Sequence, residues 1–467
     1  MALSRSARRG SRLLALATAA AAATSIAAAP GASPGAPGVG DPYFPNLGNG
    51  GYDALHYDLG VRYDPPSGRL DGRTTITARA TQDLSSFNLD LQKLEVTSIT
   101  VDGKRAAFTR AGDEITVTPK YTIRDGRQFK VTVVYGGVPL PLSGPIVFGS
   151  DYGWMKTKDG VFVACEPNAA STWFPSSDHP SDKAAFDIRI DSPAGLTGVS
   201  NGRLIDSWEK DGRSYQHWRT KKPMATYLAT ATIGKFNVRT GTTPGGIPIY
   251  VATDPVLPTG GVDVYGVTAE ATDYWSEVFG PYPFEETGAI VDDMPQAGFS
   301  LETQTKPIYS AVRNETTIVH ELAHQWFGDS VSVKDWRHIW LNEGFASYSQ
   351  WLWDEHKGRR SAHDSFIAAY NARPADSPFW KVKIGDPQRD TMFAQGVYTR
   401  GAMTLQVLRE RIGDDDFFEL LPLWTKLHRY GNATTDAFIR LAEKVSGEDL
   451  DDLFQTWLFT DTKPALP

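Results

Sequence analysis

The 467-residue sequence holds a single cysteine, Cys165. An intramolecular disulfide is thereby excluded, as are cysteine-based zinc knuckles and iron–sulfur clusters, so any bound metal must draw its ligands from His, Asp or Glu. A basic excess is also lacking. Lys and Arg number 47 against 55 Asp and Glu, a formal charge of −8, which is the wrong sign for a general nucleic-acid binder. No segment offers the roughly 20 consecutive apolar residues of a typical membrane-spanning helix, so membrane insertion is not expected. What is present is a globular profile, 41% hydrophobic and 11% aromatic, with length for two or three domains.

The N-terminus reads as a leader. Arg5, Arg8, Arg9 and Arg12 precede the short apolar run Leu13–Ala23, and Ala27, Ala28 and Ala29 supply small residues for cleavage. A signal peptide over 1–29 is expected, followed by a Pro/Gly/Ala-rich exposed linker over 30–50. No Cys stands near the cleavage region to carry a lipid. Arg8-Arg9 lacks the apolar residues that a twin-arginine signal wants next. Cleavage would remove four arginines and no acid, taking the charge to −12, a balance that favours solubility outside the cell. The protein is therefore expected to be secreted.

From residue 51 to 244 the chain is dominated by short β-branched or alternating runs, such as Tyr57–Tyr63, Thr74–Ala80 and Phe129–Tyr135, separated by turns such as Pro65-Pro-Ser-Gly68 and Asp102-Gly103. This predicts an all-β saddle or sandwich. After Thr243-Pro-Gly-Gly246 the apolar spacing becomes helical. Helices are predicted over 262–279, 316–327, 341–356, 361–370, 399–412, 417–430 and 435–445, giving an α-rich second domain over 245–467.

The strongest motif is His320-Glu-Leu-Ala-His324. On a helix, positions i and i+4 share a face, so both imidazoles can meet one metal ion, with Glu321 beside them. Glu343, in Asn342-Glu-Gly-Phe-Ala346, follows 19 residues after His324, far enough for one loop and a returning helix. Two His and one Glu with an open fourth position are the ligand logic of a catalytic Zn2+ site. Zinc polarises a carbonyl and activates water, and Glu321 is placed as the general base. The remaining histidines have no ligand spacing.

These segments resemble the aminopeptidase N family of gluzincin zinc metallopeptidases. The resemblance covers His320–Gly328 and Trp340–Ala346, and also Phe279-Gly-Pro-Tyr-Pro-Phe284, Met224–Ala229, Ile233–Phe236 and Phe174-Pro175 with Asp178-His-Pro180. It implies an α+β architecture in which an N-terminal β saddle precedes a thermolysin-like, mostly helical peptidase domain. It further implies that Tyr398 donates to the oxyanion, that Glu302 binds the substrate α-ammonium, and that Glu166 contacts the same group. The glutamate segment departs from the family's Gly-x-Met-Glu-Asn pattern: Phe299, Leu301 and Thr303 replace the motif glycine, methionine and asparagine. Position 171, often Arg in the family, is Ser. Longer members add a β-sandwich and a helical domain that closes over the site. This chain ends soon after Phe454–Leu458, which resembles the catalytic domain's last helix, so a more open cleft is expected.

The expected function is a secreted zinc aminopeptidase acting on peptides with a free N-terminus, through attack of a zinc-bound water on the peptide carbonyl. The expected assembly is a monomer. A zinc endopeptidase of the same clan and an inactive, zinc-stabilised peptide-binding protein are the alternatives.

Overall fold

The structure is a computed structural model that describes residues 31–147, 149–258 and 261–466; the leader expected over 1–29 lies outside them. Strands dominate the first half of the chain and helices the second, as the sequence predicts.

The β domain is built around an eight-stranded sheet. Its order is Arg203–Lys210, Arg213–Ala225, Lys183–Pro193, Tyr52–Asp64, Arg69–Ala80, Gln128–Gly137, Glu95–Val101 and Lys104–Arg105. All pairings are antiparallel except Lys183–Pro193 with Tyr52–Asp64, which is parallel. Along Tyr52–Asp64 and Gln128–Gly137, buried residues largely alternate with more exposed ones, which places one face of each strand in the core. Tyr57, Trp154, Trp173, Phe174 and Phe186 are buried there and pack ring against ring. A five-stranded sheet covers this core and carries Val161–Ala164, the strand that leads directly into Glu166.

The second, helix-rich domain opens earlier than the expected boundary at 244/245. Asn237–Thr242 pairs antiparallel with Pro248–Thr253, which continues in parallel onto Thr287–Val291. The Thr243-Pro-Gly-Gly246 cluster is therefore a hairpin turn, closed by hydrogen bonds from the Thr243 amide to Ile247 O and from the Gly246 amide to Thr243 O. The border between the domains falls before Asn237.

Among the described residues seven α-helices follow: α1 (Val264–Val278), α2 (Glu315–Ala323), α3 (Trp340–His356), α4 (Ala362–Asn371), α5 (Gln395–Leu427), α6 (Thr435–Ser446) and α7 (Asp451–Phe459). The two helices predicted over 399–412 and 417–430 are the halves of α5, which breaks at Gly413, where φ is 84°. In α2, Asn314 caps the N-terminus through Oδ1, accepting from the Thr317 amide.

Residues 31–50 form a strap across both domains rather than the exposed linker expected over 30–50. Ser33–Pro34 pairs with Leu84–Asp90. Asp41, 2% exposed, accepts from the Trp336 amide and pairs with His179 Nε2 at 3.0 Å each. Tyr43 OH donates to Asp386 and accepts from the Gln388 amide. Phe44 packs edge-on against Trp336. Its chemistry is not that of a free linker, because Asp41, Tyr43 and Phe44 are buried.

Candidate active site: a two-histidine, one-glutamate centre between two domains

The metal end of the site is assembled by α2 and α3. His320 lies in the last turn of α2, and His324 caps it with helical φ/ψ, so the i, i+4 relation holds and both rings face α3. Glu343 sits in the first turn of α3. The ligand atoms form a triangle: His320 Nε2 to His324 Nε2 is 3.2 Å, and Glu343 Oε2 lies 3.3 and 3.5 Å from them. Ligands about 2.0–2.1 Å from a tetrahedral zinc lie about 3.3 Å apart. The triangle thus has the edge length that a zinc ion would set. Glu343 Oε2 is buried without a hydrogen-bond partner, as suits a lone pair reserved for a cation. His324 is oriented from behind by Phe327 O, 2.9 Å from Nδ1, the second contact that fixes a ligand imidazole.

Two glycines bring the next helix in. A Cβ on Gly344 would lie 2.9 Å from Gly401 Cα, and one on Gly401 would lie 2.6 Å from Gly344 Cα. Helices α3 and α5 therefore touch backbone to backbone, directly after Glu343 and one turn after Tyr398. The Tyr398 ring stacks against His320 with centroids 6.2 Å apart. Burial, followed by the surrounding carboxylates of Glu343, Glu166, Glu302 and Glu321, pushes its phenol well above the ordinary value of 10.0, so Tyr398 keeps its proton and remains a donor. Burial also raises the Glu321 carboxyl, which is 7% exposed; a bound dication acts in the opposite direction.

The amine end is shared between domains. Glu302, Glu321 and His324 place ligand atoms within 4.8 Å of one another, so the strand segment Ser300–Leu301 delivers Glu302 to the centre despite the altered motif. Gln325, the residue after the second ligand, locks it there. Its Nε2 donates to Glu302 O at 3.1 Å, and its Oε1 accepts from the Thr305 amide at 2.7 Å. Glu166 arrives from the β domain. Its Oε1 is buried and unpartnered, and burial followed by the facing Glu302 raises its carboxyl. Two buried carboxylates that act on each other in this way are suited to pairing with an ammonium group.

All seven predicted site residues thus converge. Tyr227 is an addition: its hydroxyl donates to Glu302 Oε1 at 3.4 Å. The sequence displays it only inside the Met224–Ala229 segment, with nothing local to mark a role. Both carboxylate oxygens of Asp329 are buried with no hydrogen-bond partner among the described residues, while its amide donates to His324 O at 3.0 Å and its main-chain oxygen accepts from Lys183 of the β domain at 2.7 Å.

A helical domain carrying this triad, base and phenol, docked against a β saddle that completes the site, defines a two-domain zinc metallopeptidase. The Peptidase M1 N-terminal domain model matches residues 53–228 and the Peptidase family M1 domain model matches residues 287–457. The chain belongs to the M1 family. It is 28% identical to aminopeptidase M1-B of Oryza sativa subsp. japonica, over 88% of this chain and 50% of the relative. It is 26% identical to aminopeptidase N of Lactobacillus helveticus, over 86% and 50% respectively. The chain spans about half the length, or less, of the curated relatives it matches. A crystal structure of an M1 zinc metallopeptidase from Deinococcus radiodurans superimposes with TM-score 0.84 at 29% identity, covering 92% of this chain and 98% of that one. A point variant of the same protein, bound to a Tyr-Ser-Ala substrate, gives 0.85 at 29%, covering 92% and 99%.

Proposed function

We propose that the protein is an exported zinc aminopeptidase that removes N-terminal residues from peptides. The observation that carries this is the pairing of the His320–His324–Glu343 triangle with a buried two-glutamate receptor, one of whose members lies within 4.8 Å of the second histidine and the base. A peptide whose α-ammonium lies between Glu166 and Glu302 has its first carbonyl at the metal end, which fixes cleavage after one residue. Zinc held by His320, His324 and Glu343 supplies Lewis acidity for that carbonyl and makes water nucleophilic near neutral pH.

The chain's own groups do the rest. Glu321 accepts the proton of the attacking water and passes it to the departing amine. Tyr398 donates a hydrogen bond to the oxygen that gains charge as the carbonyl is attacked. Tyr227 and Gln325 hold the Glu302 side chain and backbone in place. Blocking the amine removes the charge that the two carboxylates bind.

The test is release of the first residue from alanyl and leucyl reporters with free and acetylated N-termini, with and without a chelator. Cleavage only of free-amine substrates, lost on chelation and restored by zinc, is the expected result. Equal turnover of free and acetylated substrates would establish an endopeptidase instead. Stoichiometric zinc without turnover of either would establish a binding protein.

A further inference from the structure

A cavity of about 440 Å3 opens beside the metal triangle, with a lining that includes neither carboxylate of the amine receptor. His320, Glu321 and Tyr398 border it, while His324, Glu302 and Glu166 do not. It therefore receives what lies beyond the scissile bond. Gln350, Gln395 and Arg373 also line it, and Arg373 is the only Lys or Arg among its described lining residues.

Arg373 follows α4. Its Nη1 donates to Ala369 O at 3.3 Å, and its guanidinium stacks on the Phe379 ring, 4.5 Å from the centroid. It forms no ion pair among the described residues, whereas Arg409 pairs with Glu355 and Asp414, and Arg337 with Asp335. A guanidinium fixed by a ring and one carbonyl, with donors left over, is suited to bidentate capture of a carboxylate. The cleft then has polarity: Glu166, Glu302 and Glu343 gather at the metal and amine end outside the cavity lining, Glu321 stands at the junction, and an arginine with no ion-pair partner among the described residues lines the cavity. That is the charge pattern of a short zwitterionic peptide, with ammonium at one end and carboxylate a few residues away.

We infer that Arg373 forms a carboxylate-binding subsite on the leaving-group side of the scissile bond, making short peptides with a free C-terminus the favoured substrates. This rests on the aminopeptidase reading and specifies its substrate class. The shared chemistry is a carboxylate. The α-carboxylate is the assigned source, and an acidic side chain is the other source that the experiment separates.

Free alanine release is measured with the zinc-loaded protein on Ala-Ala-Ala, on its C-terminal amide, and on Ala-Glu-Ala-amide and Ala-Gln-Ala-amide. The expected result is a kcat/KM about tenfold or more higher for the free acid than for the amide, carried by KM, as for loss of a charge-assisted pair. Arg373→Ala should bring that ratio to about one, and Arg373→Lys should keep an intermediate ratio, because a point charge remains without the fork. Zinc content of both variants checks that the metal end is intact. Equal rates on acid and amide in the unaltered protein overturn the subsite, as does Arg373→Ala slowing both by the same factor. A preference for Ala-Glu-Ala-amide over its Gln counterpart that vanishes in Arg373→Ala, with no acid-over-amide preference, overturns the α-carboxylate assignment. Release of internal fragments in place of free alanine refutes the aminopeptidase reading itself, whereas free alanine released equally from acid and amide refutes only the subsite.

Discussion

The metal end and the amine end of this cleft differ in how they are built. The first draws His320, His324 and Glu343 from two successive helices of one domain, joined by residues 324–339 and locked by the Gly344–Gly401 crossing. The second needs Glu302 from the catalytic domain and Glu166 from the β domain, held in register by contacts that cross the border: Tyr227 to Glu302, Asn201 to Gln304 O at 2.8 Å, and Lys183 to Asp329 O. One end depends on local helix geometry and the other on docking. Chemistry and specificity therefore have separate structural supports.

That separation can be broken from the metal end first. His320→Ala should lose both zinc and turnover, whereas Glu321→Gln should retain stoichiometric zinc and lose about 10²–10⁴-fold in kcat; metal analysis beside steady-state kinetics distinguishes them. Tyr398→Phe should cost about 10²–10³-fold in kcat with KM little changed, because its hydrogen bond strengthens only as the oxyanion forms. At the amine end, Glu302→Gln and Glu166→Gln should act mainly on KM for free-amine substrates, by about 1.5–3 kcal/mol each, and should narrow the discrimination against acetylated ones. If either substitution instead strips the zinc, the two ends are not separable.

The smallest effect tests the docking itself. Burial opposes ionisation of Asp41, but the hydrogen bonds from His179 and from the Trp336 and Phe44 amides outweigh it, so its carboxyl lies below the ordinary value of 3.8. A carboxyl depressed in the folded state stabilises fully above its unfolded value and loses that contribution as pH falls through the folded one. Asp41→Asn should lower stability by about 1–3 kcal/mol at neutral pH, and its melting-temperature gap from the parent should close as the pH is taken below 3.8. A gap that persists in acid would show that Asp41 acts by shape and not by charge.

The same contrast governs what the sequence reveals. The zinc triangle is legible because helical periodicity alone places His320 and His324 on one face, and a glutamate opening the next helix completes it. Glu302 and Glu166 emerge only by resemblance, since a lone glutamate on a strand has no periodic signature. Tyr227 and Gln325 support Glu302 from sequence distances of 75 and 23 residues, beyond any local pattern. Two features mislead for one reason. Pro and Gly mark both exposed connectors and tight or packed turns, so Thr243-Pro-Gly-Gly246 suggested a domain border where a hairpin lies. Likewise, residues 30–50 suggested a free linker where Asp41 and Tyr43 find partners 295 and 345 residues away.

Those separations impose an order of events on synthesis. The strap leaves the ribosome some 300 residues ahead of Trp336, Asp386 and Gln388, the residues it docks onto. At about 5–20 residues per second, its docking sites do not exist for tens of seconds after the strap itself has been made. The strap can bridge the domains only after the catalytic domain has been translated as far as Gln388, so a segment made before the β domain is the last to find its partners.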